Sequence, residues 1–224
     1  MAYVYDAISL KNGREVNMDS LLMKERAIGG QDVCMAVVCD GVGSMADGAF
    51  AAYTAVRQLS AWFEGLRDTR RLGLRLRDKV AELDRTITES AQQKGIKTGC
   101  TLSALIVAEE QYYIVHAGDS RIYGYQDGVL EQLTIDHSTN GKLSSCVGRN
   151  GNATLYYNEG TSSKRLFFLC SDGLYKRMDP VFFVRALSKA GFRPFRKTIA
   201  QLTQYVIERG ERDNISLVLL KTEK

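Results

Sequence analysis

The chain has 224 residues, 45% of them hydrophobic and 25% charged, with a formal net charge of +4. That is enough for one domain with a substantial core, and the longest apolar runs fall far short of the ~20 residues needed to cross a bilayer. The charge balance is too modest for a dedicated nucleic-acid binder. The positives concentrate in residues 67–79, which read as a solvated helix face or loop rather than a phosphate-tracking surface.

Residues 32–39 make a continuous apolar run of strand length that stops at Asp40-Gly41, where glycine permits a tight turn. Ala52, Val56, Leu59 and Phe63 then recur at the spacing of an amphipathic helix, with Asp47 placed to cap it. A second stripe runs through Leu76, Val80, Leu83 and Ile87. Residues 101–108, 111–116, 121–125 and 129–133 read as strands, the last two joined by Gln126-Asp127-Gly128, and together they predict an antiparallel meander. Residues 165–170 are another buried strand. Asp179-Pro180 starts a helix by placing a capping carboxylate before a proline at the first helical position, and Gly191 is expected to end it. A last helix over 196–209 buries Ile199, Leu202 and Val206 and closes at Gly210, before a final strand at 215–221. Hairpin-joined strands with paired helices predict layers of helix over antiparallel sheet. No segment has the composition of a linker, so residues 1–224 are expected to form one domain.

Cys34, Cys39, Cys100, Cys146 and Cys170 are odd in number and show no zinc-ligand spacing, so they read as reduced thiols. Nothing at the N-terminus resembles a cleavable export signal, and the cytoplasm is the expected compartment. His116 lies in a strand pattern and reads as a satisfied core residue, while His137 is expected near the site or exposed; neither supports a histidine nucleophile.

What points to chemistry is a recurrence of acidic turns: Asp19, Asp40-Gly41, Gly118-Asp119-Ser120-Arg121, Ser171-Asp172-Gly173 and Asp213-Asn214. Carboxylates held together at strand ends repel one another unless a divalent cation sits among them. A metal site is therefore expected to carry the function.

Seven segments, taken in order, carry a resemblance. They are Arg14-Glu15-Val16-Asn17-Met18-Asp19-Ser20, Cys39-Asp40-Gly41-Val42-Gly43-Ser44, Gly99-Cys100-Thr101-Leu102, Ala117-Gly118-Asp119-Ser120-Arg121, Leu133-Thr134-Ile135-Asp136-His137-Ser138, Ser171-Asp172-Gly173-Leu174 and Asp213-Asn214-Ile215-Ser216. In these the chain resembles the metal-dependent protein phosphatases, the type 2C serine/threonine family, in compact bacterial form and over nearly its whole length. The resemblance implies an α+β fold, a four-layer α-β-β-α sandwich of two antiparallel sheets flanked by helices, with metals at one end. It implies that Asp40 bridges two ions, that the Gly41 carbonyl, Asp172 and Asp213 complete the first site, and that Asp19 holds the second ion. All-oxygen ligation suits Mn2+ or Mg2+ rather than zinc. Such ions activate a water for attack on phosphorus, so no protein nucleophile is required, and Arg14 stands where the family places its phosphate-binding arginine. For Asp119 two readings stay open: a ligand, with Asp172, of a third, weaker ion, or a strand-end turn in which it pairs with Arg121. Asn214 is expected to orient Asp213 or cap its turn.

The chain departs from that pattern in three places. Met18 stands where relatives usually carry an acidic residue ordering metal-bound water, Val42 where they show histidine or methionine, and the region between Ser138 and Ser171 is about half the usual insert. Cys146-Val147-Gly148-Arg149-Asn150 is what remains of its anchoring stretch. A shortened flap implies an open site and altered substrate choice. The implied function is hydrolysis of phosphoserine and phosphothreonine on proteins, opposing a serine/threonine kinase, with no nucleic-acid or membrane partner. The alternative is a non-catalytic or regulatory relative binding a phosphoprotein or other partner through the same scaffold. Survival of Asp19, Asp40, Asp172 and Asp213 favours activity.

Overall fold

In chain order the elements are β1 (Ala2–Leu10), β2 (Ser20–Ile28), β3 (Gln31–Cys39), α1 (Gly48–Glu64), α2 (Leu72–Lys94), β4 (Leu102–Ala108), β5 (Gln111–Ala117), β6 (Arg121–Gln126) and β7 (Val129–Gln132). There follow β8 (Ser138–Thr139), β9 (Lys142–Leu143), β10 (Tyr156–Thr161), β11 (Leu166–Cys170), α3 (Asp172–Tyr175), α4 (Pro180–Leu187), α5 (Phe195–Glu208) and β12 (Ile215–Glu223). This computed structural model describes residues 2–43, 45, 47–163, 165–190 and 194–223.

The apolar run of β3 shows how the layers form. Val33, Met35, Val37 and Cys39 face α1 and α2, while Cys34, Ala36 and Val38 face the opposite sheet, all of them fully buried. A strand buried on both faces has no reason to alternate with polar residues, which is why this one reads as a continuous run. One sheet has the order β10-β5-β4-β3-β2, the other β1-β12-β11-β6-β7, and every pairing is antiparallel. Helices α1 and α2 cover the first sheet; α4 and α5 cover the second, with Phe183, Ile199, Leu202 and Val206 packed on Leu217 and Leu219. The architecture is the expected α-β-β-α sandwich.

Capping follows the sequence. Asp47 accepts from the Phe50 amide at the start of α1, and Asp179 accepts from the Val181 and Phe182 amides ahead of Pro180. Helix α4 stops at Leu187 with Ser188 as its cap; Gly191, expected to end it, lies outside the described residues, as does Ser44 of the Asp40 segment.

The expected meander is corrected. Strands β4 and β5 are a hairpin of the first sheet, whereas β6 and β7 belong to the second, so the chain changes sheets at Gly118-Asp119-Ser120. Gly118 makes that crossing at φ 109°, and a Cβ there would lie 2.6 Å from Thr101 Cβ. Local periodicity reports strands but not which sheet each joins.

Candidate active site

Strand register, more than local sequence, gathers the acidic residues. Ser20 pairs with Cys39, Val38 with Ser103, Leu102 with Ala117, Arg121 with Cys170, Cys170 with Leu217, and Ile215 with Leu10. Every turn carrying Arg14, Asp19, Asp40, Asp119, Asp172 or Asp213 therefore lies at the same end of the sandwich. Arg14, Asp40, Gly41, Asp119, Asp172 and Asp213 line one cleft of about 600 Å³ there.

Asp40 sits at its centre. The backbone is clamped by Thr101, whose Oγ1 accepts from the Asp40 amide at 2.9 Å and whose amide donates to the Asp40 carbonyl at 2.8 Å. Burial pushes its carboxyl far above the usual range, and Asp19, Asp172, Asp119 and Asp213 add to the push. Asp19 is buried just behind. Ser171 Oγ donates to its Oδ2 at 2.9 Å, but Oδ1 has no hydrogen-bond partner. Burial lifts Asp19 to about 6, against the lowering pull of neighbouring serine hydroxyls. The position of Gly41 is fixed by contact: a Cβ would come within 2.6 Å of Gly48 carbonyl atoms at the start of α1. Only glycine lets the helix reach this close.

Two other carboxylates are paired with cations of the chain itself. Arg14 donates from Nε and Nη2 to the two oxygens of Asp213 at 2.9 and 2.8 Å, a fork geometry that holds Asp213 low despite the upward push of partial burial. Asp172 opens α3, and Lys176, one turn later, donates to its Oδ2. Among the described residues no three acidic, histidine or cysteine side chains are drawn tightly enough together to form a finished metal cage. Asp213 and Asp172 are instead turned toward Arg14 and Lys176.

Asp119 does not pair with Arg121, so that reading is corrected. Arg121 makes a forked ion pair with Asp136, 2.8 Å from Nη2 to Oδ2, and lies 3.7 Å over the Tyr175 ring. Asp119 is instead raised to about 6 by burial and by Asp172, with Lys176 pulling it back. Asn214 goes beyond orienting its neighbour: Nδ2 donates to the carbonyls of Lys11 and Val16 and Oδ1 accepts from the Met18 amide, pinning the loop that presents Arg14. His116 is fully buried, with Ser103 Oγ at 2.9 Å from Nδ1 and the Gly118 carbonyl at 2.9 Å from Nε2. His137 stacks on it and accepts from the Gly118 amide. All five cysteines are free and buried.

Sequence reasoning missed Lys176, Lys142 and Arg149, which also line the cleft. The i,i+4 spacing from Asp172 to Lys176 was a usable signal. Lys142 and Arg149 arrive from β9 and the loop after it, where no periodicity points inward.

The donor set fits a hard divalent cation. Every candidate ligand is an oxygen, one buried carboxylate oxygen of Asp19 is unsatisfied, and Asp40 is destabilised in its charged form by four other carboxylates.

Comparison with known proteins agrees. A family model described as protein phosphatase 2C matches residues 13–212. The serine/threonine phosphatase stp of Listeria monocytogenes is 39% identical over 107 residues, covering 46% of this chain and 42% of that protein. The chain thus spans about two fifths of the length of the first curated relatives it matches. The structure of the serine/threonine phosphatase Stp1 from Staphylococcus aureus superposes with TM-score 0.89 at 21% identity, over 100% of this chain and 96% of that one. PppA of Pseudomonas aeruginosa, described as a key regulatory component of T6SS, superposes with TM-score 0.84 at 26% identity, over 99% and 98%.

Proposed function

This chain belongs to the protein phosphatase 2C family, and on that premise we propose that residues 1–224 form one catalytic domain of a metal-dependent phosphatase acting on phosphoserine and phosphothreonine in proteins. The observation that supports this most is Asp40, held rigidly at the centre of four other carboxylates whose repulsion a bound divalent cation would relieve. Asp19, Asp40, the Gly41 carbonyl, Asp172 and Asp213 are the residues that would hold two ions; Asp119, beside Asp172, is the carboxylate that a third ion would need. When bound, Mn2+ or Mg2+ supplies an activated water and neutralises charge on the phosphate.

The rest is the work of side chains present in the chain. Arg14 uses two of its five N–H groups on Asp213 and is 54% exposed, so its remaining donors are free to bind phosphate oxygens. Lys142 and Arg149 line the same cleft and add positive charge that favours a phosphorylated segment over its unmodified form. No histidine is among the described residues lining the cleft, His116 has both ring nitrogens engaged, and Val42 occupies the position beside Asp40-Gly41, so the leaving alkoxide takes its proton from water.

A phosphorylated protein is the proposed substrate and a serine/threonine kinase the proposed counterpart, in the cytoplasm, with neither nucleic acid nor membrane as partner. No helix among the described residues is long and apolar enough to cross a membrane. Asp40→Asn tests the assignment. It should abolish turnover of an aryl phosphate while the far-UV circular dichroism stays that of the parent; retained turnover would sink the role given to Asp40.

A further inference from the structure

The five carboxylates of the cleft are not equivalent. Asp213 is paired with Arg14 and Asp172 with Lys176, whereas Asp19 keeps an unsatisfied buried oxygen. We propose that Lys176 is a resident countercharge of the cleft, its ammonium giving Asp172 and Asp119 the positive charge that a third divalent cation would otherwise bring. The proposal rests on the metal reading of this site.

Position and arithmetic both support it. Lys176 follows α3 directly, and its amide donates to the Asp172 carbonyl at 3.1 Å, so the same short helix turn that presents Asp172 presents the ammonium. The side chain is about half exposed at the cleft wall, and its charge acts on Asp172 first, then on Asp213 and Asp119. Arg121, the other cation near Asp119, is committed to Asp136. With their paired cations Arg14 and Lys176 counted, the five carboxylates leave a formal charge of three minus, and Lys142 and Arg149 at the cleft reduce it further. Two divalent ions already exceed that, and a third would have to bind a site of positive charge. Removing the lysine lowers that opposition where Asp119 and Asp172 remain.

The test is Mn2+ binding at equilibrium, by titration calorimetry and by the free-Mn2+ electron paramagnetic resonance signal, on metal-stripped protein and on Lys176→Gln. The variant should bind one more Mn2+ per chain than the parent, or bind its weakest ion about tenfold more tightly. Lys176→Arg should titrate like the parent, and Asp119→Asn added to Lys176→Gln should remove the gain. A parent that binds Mn2+ and a Lys176→Gln variant with the same stoichiometry and affinities would overturn the role of the lysine while leaving the phosphatase reading intact. A parent that binds no Mn2+ at all would overturn both.

Discussion

Met18 is the residue that most needs explaining, because its side chain lines the cleft while its backbone is held on both sides. Its amide donates to Asn214 Oδ1 at 2.9 Å and its carbonyl accepts from the Gly41 amide at 3.3 Å, so the position is rigid and only the side chain departs from the family pattern. Met18→Glu should therefore raise Mn2+ affinity by roughly tenfold or more in a calorimetric titration. An unchanged titration would show that the thioether costs the site nothing. His116 yields a prediction about stability rather than activity. Burial and the neighbouring His137 depress its pKa to about 4, against an ordinary 6.5 in the unfolded chain. Between those values the unfolded state binds the extra proton, so the contribution of neutral His116 is complete above pH 6.5 and is lost as pH falls toward 4, by about 3 kcal/mol in all. Asp19 and Asp119, each raised to about 6, act in the opposite sense across that window, so the test is a difference: the urea midpoint of the parent minus that of His116→Gln should fall as pH is lowered from 6.5 toward 4. At this scale the sequence was informative where a residue sits in a turn of fixed chemistry, as with Asp40-Gly41. It misassigned Arg121, whose partner is not the nearby Asp119 but Asp136, fifteen positions away and brought back by the β6–β7 hairpin.

Among the elements, α2 does more than cover a sheet. Asp84 on its inner face is 2% exposed and accepts from the amides of Gly148 and Ala153, each at 2.7 Å. These two bonds tie down the loop that carries Arg149 to the cleft and, through Val147 and Cys100, braces Gly41. Asp84→Ala leaves the buried Gly148 amide and the half-buried Ala153 amide unpaired and should cost on the order of 2–4 kcal/mol in urea unfolding, with KM for a phosphopeptide rising more than kcat falls. Helices α1, α2, α4 and α5 were legible from their stripes and caps, and β3, β4 and β11 from their apolar runs. Strands β1, β2 and β10 were not, because their residues are mostly only half-buried: each lies at the rim of its sheet, pairs on one side only and carries polar side chains within the strand.

For the whole molecule, the decisive fact is that ten of the strands run antiparallel in two facing sheets, so that turns distant in sequence share one end. That convergence was legible only through resemblance to the family; the spacing of the acidic turns alone allows many topologies, and the crossing from β5 to β6 was misread as a continued meander. Local chemistry predicted what each turn can do, and the register of the sheets decides that they do it together. The central claim is that a carboxylate cluster built this way hydrolyses a phosphate ester only when a divalent cation relieves its repulsion. It is tested most directly by measuring phosphate release from a phosphothreonine peptide by metal-stripped protein, titrated with Mn2+ and Mg2+. Turnover should be absent without metal and rise saturably as metal is added. Turnover that persists in excess chelator, or a folded protein that stays inactive at millimolar Mn2+, would contradict the account.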